Sequence, residues 1–215
     1  FDQKYAASDT EFSRAIDVNP NYALAHEWYG TSLLGRGRMV DARMQLQTAV
    51  ALEPIATATN AWLGTEAYYE RRYGDAIMYL RRALDLNPSR FDSVLFLGLA
   101  QQQVGDYQSA LKTFARLSAL KEHRAYIKLL IAAVYERIGR RQQALAQARA
   151  ARNSPDVMPE DVALAFVALG QRDEALHYMH HARFKSVVDR MWLSLDPRWD
   201  PVRRDPRFRP WIRAV

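Results

Sequence analysis

Glycines recur at Gly30, Gly64 and Gly98, 34 residues apart, and other residue types keep the same interval. Ala42, Ala76 and Ala110 repeat with it, as do Ala49 and Ala83, and Pro20, Pro54 and Pro88. A fixed period of this length is the mark of a solenoid. Each unit is one small motif that cannot bury its apolar face alone and stacks on its neighbours.

The period resolves into helix pairs. Residues 22 to 54 form the first full copy. A helix over about 23–35 places Tyr29, Gly30 and Leu33 on one face, Gly35-Arg36-Gly37 makes a turn, and a second helix over about 39–52 carries Ala42, Leu46 and Ala49. Spacings of three and four put these residues on one stripe of each helix. Small residues stand where two backbones must approach, and a larger side chain there would overpack at roughly 1–3 kcal/mol. Glu53-Pro54 ends the second helix, because proline disfavours helical conformation in the residue before it.

Later copies keep phase with local departures. The turn Arg71-Arg72-Tyr73 lacks glycine, Leu117 replaces a small residue, Glu122 stands where proline is due, and Gly170 follows Gly139 by 31 residues. Residues 5 to 17 read as the second helix of a repeat whose first helix is missing, and there is no initial Met. A piece of a longer protein is the expectation. From Phe184 the pattern breaks into Asp196-Pro197, Asp200-Pro201 and Asp205-Pro206. Asp is a good N-cap and proline suits the first helical turn. Helices are predicted near 186–193 and 206–214, with a short turn near 201–204. Trp192, Trp199, Phe208 and Trp211 should cover the open end of the last repeat, as terminal repeats require.

Composition narrows function mainly by exclusion. The chain has 215 residues, 49% of them hydrophobic, and no run of about 18 apolar residues long enough for a transmembrane helix. It has no cysteine, so disulfides, thiolate metal sites and a cysteine nucleophile are excluded. Of the net charge of +6, residues 183–215 carry +5, from nine Lys/Arg against four Asp/Glu. The repeats are nearly neutral, whereas a nucleic-acid binder more often shows a basic stripe along its length. No direct nucleic-acid contact is assigned. The tail could meet an anionic surface, but Arg203 and Arg204 neighbour Asp200 and Asp205, which favours a structural role.

No catalytic constellation, phosphate loop or cofactor motif stands out, and the carboxylates read as exposed helix positions. Asp173, His177 and His181 are four apart, with His180 beside them. That spacing can hold a divalent metal or act as a pH-responsive cluster. With Met179 and Ala182 on the buried stripe, the imidazoles should face solvent, and no metal is assigned.

The copy AWLGTEAYYERRYGDAIMYLRRALDLNP resembles the tetratricopeptide repeat, a helix–turn–helix unit of 34 residues. The resemblance covers about residues 5–182. It implies an all-α fold, a right-handed superhelix (α-solenoid) of about five and a half repeats. These are a half repeat 1–20, full repeats 22–54, 56–88, 90–122 and 123–155, and a shortened repeat 156–183, capped by helices over 184–215. A narrower resemblance lies in NPNYALAHEWYGTSLLGRGRMVDA, SPDVMPEDVALAFVALGQRDEAL and the ending LDPRWDPVRRDPRF. These are similar to the C-terminal repeat regions of bacterial signalling proteins, including CadC-type winged-helix transcriptional regulators.

The resemblance implies a non-catalytic interaction or sensing domain that takes a protein, a peptide or a second copy of itself. The alternative is an accessory scaffold of a kinase, cyclase or transferase. A membrane-spanning regulator would place the domain in the periplasm; otherwise it would be cytoplasmic. The usual binding surface of such folds is the concave face built from first helices. There Trp28, Trp62, Phe96 and Leu130 recur 34 apart. They read either as aromatic anchors of a groove or as rings filling space between first helices. Neighbouring candidates are Glu27, Thr31, Thr65, Tyr68, Tyr69, Leu99, Gln102, Gln103, Tyr126, Glu136 and Arg137. The Asn/Lys clamp by which the family holds a peptide carboxylate is not matched, since Glu27, Trp28, Thr31, Ala61, Trp62 and Thr65 stand at its positions.

Overall fold

The structure, a computed structural model, describes residues 2–117, 123–183, 191 and 193–212, with side-chain environments from residue 8. Eleven α-helices are defined among these residues, with no strand. They are α1 (Asp2–Val18), α2 (Ala23–Leu34), α3 (Met39–Leu52), α4 (Thr57–Tyr69), α5 (Tyr73–Leu86), α6 (Phe91–Gln103), α7 (Tyr107–Leu117), α8 (Arg124–Arg137), α9 (Arg141–Ala151), α10 (Pro159–Ala168) and α11 (Arg172–His181). The chain divides into two compact units, Phe1–Leu97 and Gly98–Val215.

One turn joins the two helices of each pair, and its chemistry repeats. Gly37, Gly105, Gly139 and Gly170 have φ of 73°, 81°, 77° and 71°. In each case the following N–H bonds back to the carbonyl five residues earlier: Arg38 to Leu33 at 3.0 Å, Asp106 to Gln101 at 2.9 Å, Arg140 to Tyr135 at 2.8 Å and Gln171 to Phe166 at 2.9 Å. This is the glycine-ended helix terminus in which a left-handed residue lets orphan carbonyls be satisfied. The glycine-free turn keeps the geometry: Arg71 adopts φ of 60°, and Arg72 N–H reaches Ala67 O at 2.8 Å. A non-glycine residue accepts that conformation at a cost of roughly 1–2 kcal/mol, so the repeat dictates the turn even where the residue resists it.

A second device recurs where each pair begins. His26 Nε2 lies 3.0 Å from Pro20 O, and Asn60 Nδ2–H donates to Pro54 O at 3.2 Å. His26 and Asn60 are 34 apart, as are the two prolines. A buried polar side chain thus pins the preceding loop in both copies, and His26 also reaches Gln45 Oε1 at 2.7 Å.

The small residues act as helix-crossing points. A Cβ added at Gly30 would stand 2.7 Å from Leu46 Cγ, one at Gly64 2.4 Å from Leu80 Cγ, and one at Gly98 2.4 Å from Phe114 Cε1. Leu46, Leu80 and Phe114 are fully buried. Gly98→Ala is therefore expected to cost about 1–3 kcal/mol by overpacking, read as a lower denaturation midpoint at unchanged slope.

Three sequence expectations change. The carboxylates are not all exposed: Glu66 is fully buried, ion-paired with Arg72, and its other oxygen lies 3.7 Å from Arg43. Burial still raises its pKa against the pull of both arginines. The C-terminal helix predicted over 206–214 is also not formed over 206–212, and residues 213–214 lie outside the described residues. A 3-10 turn spans Pro206–Phe208 and residues 209–211 form a turn. Pro210 cannot donate to a helical ladder and disfavours helix before it. The other 3-10 segment, Pro197–Val202, starts ahead of the turn expected at 201–204. Asp196 and Asp205 cap the two segments, accepting from Arg198 N–H at 2.9 Å and Arg207 N–H at 3.1 Å. Residues 193–195 are helical, whereas 184–190 and Trp192 lie outside the described residues.

In the second unit the core joins Val162, Leu164, Phe166, Ala175 and Met179 to Trp199, Val202, Phe208 and Ile212. Trp199 and Phe208 are fully buried with ring centroids 6.2 Å apart. The C-terminal segment is thus packed on the α10–α11 pair as part of one apolar cluster.

Candidate functional site

The sequence candidates fall into two groups, one in each unit. In the first unit Trp28 is 55% exposed on α2, while Trp62 on α4 and Phe96 on α6 are half-buried. Phe96 packs edge-on to Tyr68 and Tyr69, with centroids at 5.4 and 5.7 Å. Tyr68 is fully buried and also meets Tyr69 and Tyr73, so it belongs to the core. Thr65 is buried too, its hydroxyl donating to Ala61 O at 3.0 Å. Thr31 donates to Trp28 O at 2.9 Å, and Glu27 accepts from Thr59. The stripe is therefore packing at Phe96 and surface at Trp28. Trp28→Ala should change stability by no more than about 0.5 kcal/mol, measured by urea denaturation; a loss of several kcal/mol would show that this ring packs.

The second unit gathers most of its candidates into one pocket. Leu99, Gln102 and Gln103 of α6, Tyr126, Leu130 and Arg137 of α8, and Asp161 and Leu164 of α10 line a cavity of about 180 Å³. Pro197, Arg198, Asp200 and Pro201 of the C-terminal segment close it. That volume suits one large side chain, since an apolar cavity of roughly 150 Å³ takes a benzene. The walls come from the first helices of three successive pairs, α6 and α8 in the 34-residue register and α10 in the shortened repeat. Leu99 and Leu130 are buried and form the apolar floor with Leu129 and Ala133. Glu136 is not in the lining; it pairs with Arg141.

The electrostatics of the pocket are uneven. Arg198 is held by Asp196 through bonds of 2.6 and 2.9 Å to one carboxylate oxygen. Asp200 accepts from Arg203 at 2.9 Å. Arg137 is exposed and makes no ion pair with another described residue. Asp161 stands in the first turn of α10 and makes no salt bridge with a described residue. Burial pushes its carboxyl up to about 6, against the pull of the Arg198 guanidinium. Burial likewise pushes the Tyr126 hydroxyl up to about 12, so it stays a neutral hydrogen-bonding group.

Asp161, Arg198, Asp200 and the prolines escaped the sequence reading. The 34-residue period could mark the first helices, but Asp161 lies on the helix of the shortened repeat, where that register is lost, and the period carries no signal for a segment that folds back from outside the repeats. The histidines are where they were expected: His177, His180 and His181 are exposed while Met179 is buried. His177 and His181 rings meet at 5.0 Å, and Asp173 is engaged by Arg207 at 2.7 Å. No group of three or more metal-ligating side chains occurs among the described residues. No helix among them is long and apolar enough to cross a membrane.

Two family models, both of the tetratricopeptide repeat, match residues 67–134 and 2–58. The chain carries tetratricopeptide repeats, and its fold is the α-solenoid of that family. Among solved structures, MamA superimposes with a TM-score of 0.63 at 18% identity, covering 84% of this chain and 91% of MamA. YrrB, described as a TPR protein with an unusual peptide-binding site, matches with 0.59 at 18% identity, covering 79% and 89%. PilF of Pseudomonas aeruginosa matches with 0.63 at 18% identity, covering 83% of each. At these identities the likeness is one of fold. No curated protein of significant similarity was found.

Proposed function

We propose that this chain is a non-catalytic interaction domain that holds a peptide or protein segment against the first helices of its repeats. The observation that carries this reading is the pocket of the second unit. Three first helices supply an apolar floor, and polar groups converge at its edge, the pattern of a binding site. The fold supports the same use, since repeat surfaces of this kind serve extended partners. YrrB, with its described peptide-binding site, is a fold neighbour that supports a peptide as the class of partner. A random peptide library selected on the intact chain tests the reading. Peptides that bind in the micromolar range support it, and a selection that returns none contradicts it. A second copy as occupant would show instead as a dimer by light scattering.

We further read the domain as the C-terminal sensing or interaction part of a bacterial transcriptional regulator. The support is the resemblance of the ending LDPRWDPVRRDPRF, whose Pro197, Arg198, Asp200 and Pro201 build a wall of the pocket. The coding sequence upstream tests this. A winged helix supports it, while a kinase or cyclase domain would make the repeats an enzyme's scaffold.

A further inference from the structure

We propose that the pocket bounded by α6, α8, α10 and the Pro197–Pro201 turn takes the cationic end of a peptide side chain, an ammonium or guanidinium on an aliphatic stem, with Asp161 as its counter-ion. The inference rests on the peptide-binding reading and adds the chemistry of the anchor.

Charge complementarity selects the occupant. Three of the four charged groups in the lining are accounted for. Arg198 is neutralised by Asp196, and Asp200 is engaged by Arg203. Arg137 stands at the exposed end, where solvent screens it. Its distance from the acidic end follows from helix geometry. Tyr126 and Arg137 are eleven residues apart on α8, roughly 16 Å of helix. Both Tyr126 and Asp161 line the pocket and Asp161 lies near enough to push the Tyr126 hydroxyl up, so Asp161 belongs to the opposite end from Arg137.

Asp161 is the remaining group. It is a partly buried carboxylate without a salt bridge to a described residue, and the pull of Arg198 and the backbone of Met158 offset its desolvation only in part. A carboxylate in that position is stabilised by an incoming cation that brings its own hydrogen bonds. The surroundings suit the rest of a lysine or arginine side chain. Leu99, Leu130, Ala133 and Leu164 receive the methylene stem. The Tyr126 ring beside Asp161 offers an aromatic surface to the charge. The groups that face the carboxyl are Arg198 and Asp196 from the C-terminal segment, Glu160 from its own helix and Tyr126 from α8. Of these, Glu160 and Asp196 add to the preference for a cation and Arg198 opposes it.

The test uses the intact chain and four probes: N-acetyl-lysine methylamide, its norleucine and glutamate counterparts, and n-butylammonium. Methyl resonances of Leu99, Leu129, Leu130 and Leu164 are followed by NMR. The lysine probe should bind at least tenfold more tightly than norleucine. Asp161→Asn should reduce lysine binding to the norleucine level, with amide shifts outside the pocket unchanged. Affinity for lysine should also fall as pH drops through about 6, while that for norleucine stays level. Equal binding of norleucine, tighter binding of glutamate, or an Asp161→Asn chain that binds lysine as before would each overturn the assignment. Butylammonium binding as tightly as capped lysine would overturn the peptide as the source of the cation. Library-selected peptides that bind without a basic residue would overturn the cation and leave peptide binding standing. A library that yields no binder removes both.

Discussion

Trp199→Ala should destabilise the second unit by about 3–5 kcal/mol, the range for removing a large buried ring. Trp199 is fully buried, it packs with Phe208, and it shares one core with Val162, Leu164 and Phe166 of α10. Its neighbours Pro197, Arg198, Asp200 and Pro201 form the closing wall of the pocket. The same substitution should therefore weaken ligand binding as the wall loses its anchor. Trp199→Phe separates packing from hydrogen bonding. The indole Nε1–H is buried with no hydrogen-bond partner among the described residues. A buried unsatisfied donor costs roughly 1–3 kcal/mol, so removing it offsets much of the lost ring volume. The phenylalanine variant should stay within about 1 kcal/mol of the parent. Urea denaturation measures both, and an alanine variant as stable as the parent would show that the C-terminal segment does not cap the last repeat.

Asp161→Asn should act in the other direction, raising stability at pH 7 by about 1–3 kcal/mol. In the folded chain the carboxyl is pushed up to about 6, from 3.8 in the unfolded reference. The folded state thus holds the proton more tightly than the unfolded state. By linkage, stability is highest when the group is protonated in both states, below about pH 3.8, and falls as pH rises toward and past about 6. Asp205 has the opposite sign. Its bond to Arg207 holds it down at about 2, so its contribution is present above about pH 3.8 and is lost as pH falls through about 2. The difference between parent and Asp161→Asn across pH 4 to 7 isolates Asp161. A flat difference would mean that the carboxyl is fully solvated. A folding cost at this position accords with a site kept for binding rather than for stability.

The repeat architecture was legible because packing imposes it copy by copy. Gly30, Gly64 and Gly98 each face a large side chain on the partner helix, so the period records a contact. The turn glycines record a left-handed residue in the same way. Arg71 shows the limit of that signal, since it adopts the conformation without the residue type that announces it. The candidate site was legible by half. Leu99, Gln102, Gln103, Tyr126 and Arg137 were marked by their place on first helices, and the pocket gathers them. Tyr68 and Thr65 share that periodicity yet are buried, because periodicity finds a helical face without measuring how deeply a neighbour covers it. Asp161 sits on the first helix of the shortened repeat, and Arg198 joins it in the pocket only because a C-terminal segment returns to α10. No spacing within the repeats encodes that contact.

The pocket of the second unit is proposed to anchor a peptide. Filling it is the most direct measurement. Ala133 lines the pocket at 9% exposure, and Ala133→Phe would place a ring in the cavity of about 180 Å³. Library-selected peptides should bind the parent chain with micromolar affinity by calorimetry. They should lose at least tenfold on the filled variant while its melting temperature stays close to the parent's. Equal affinity for the parent and a folded Ala133→Phe chain would contradict the account.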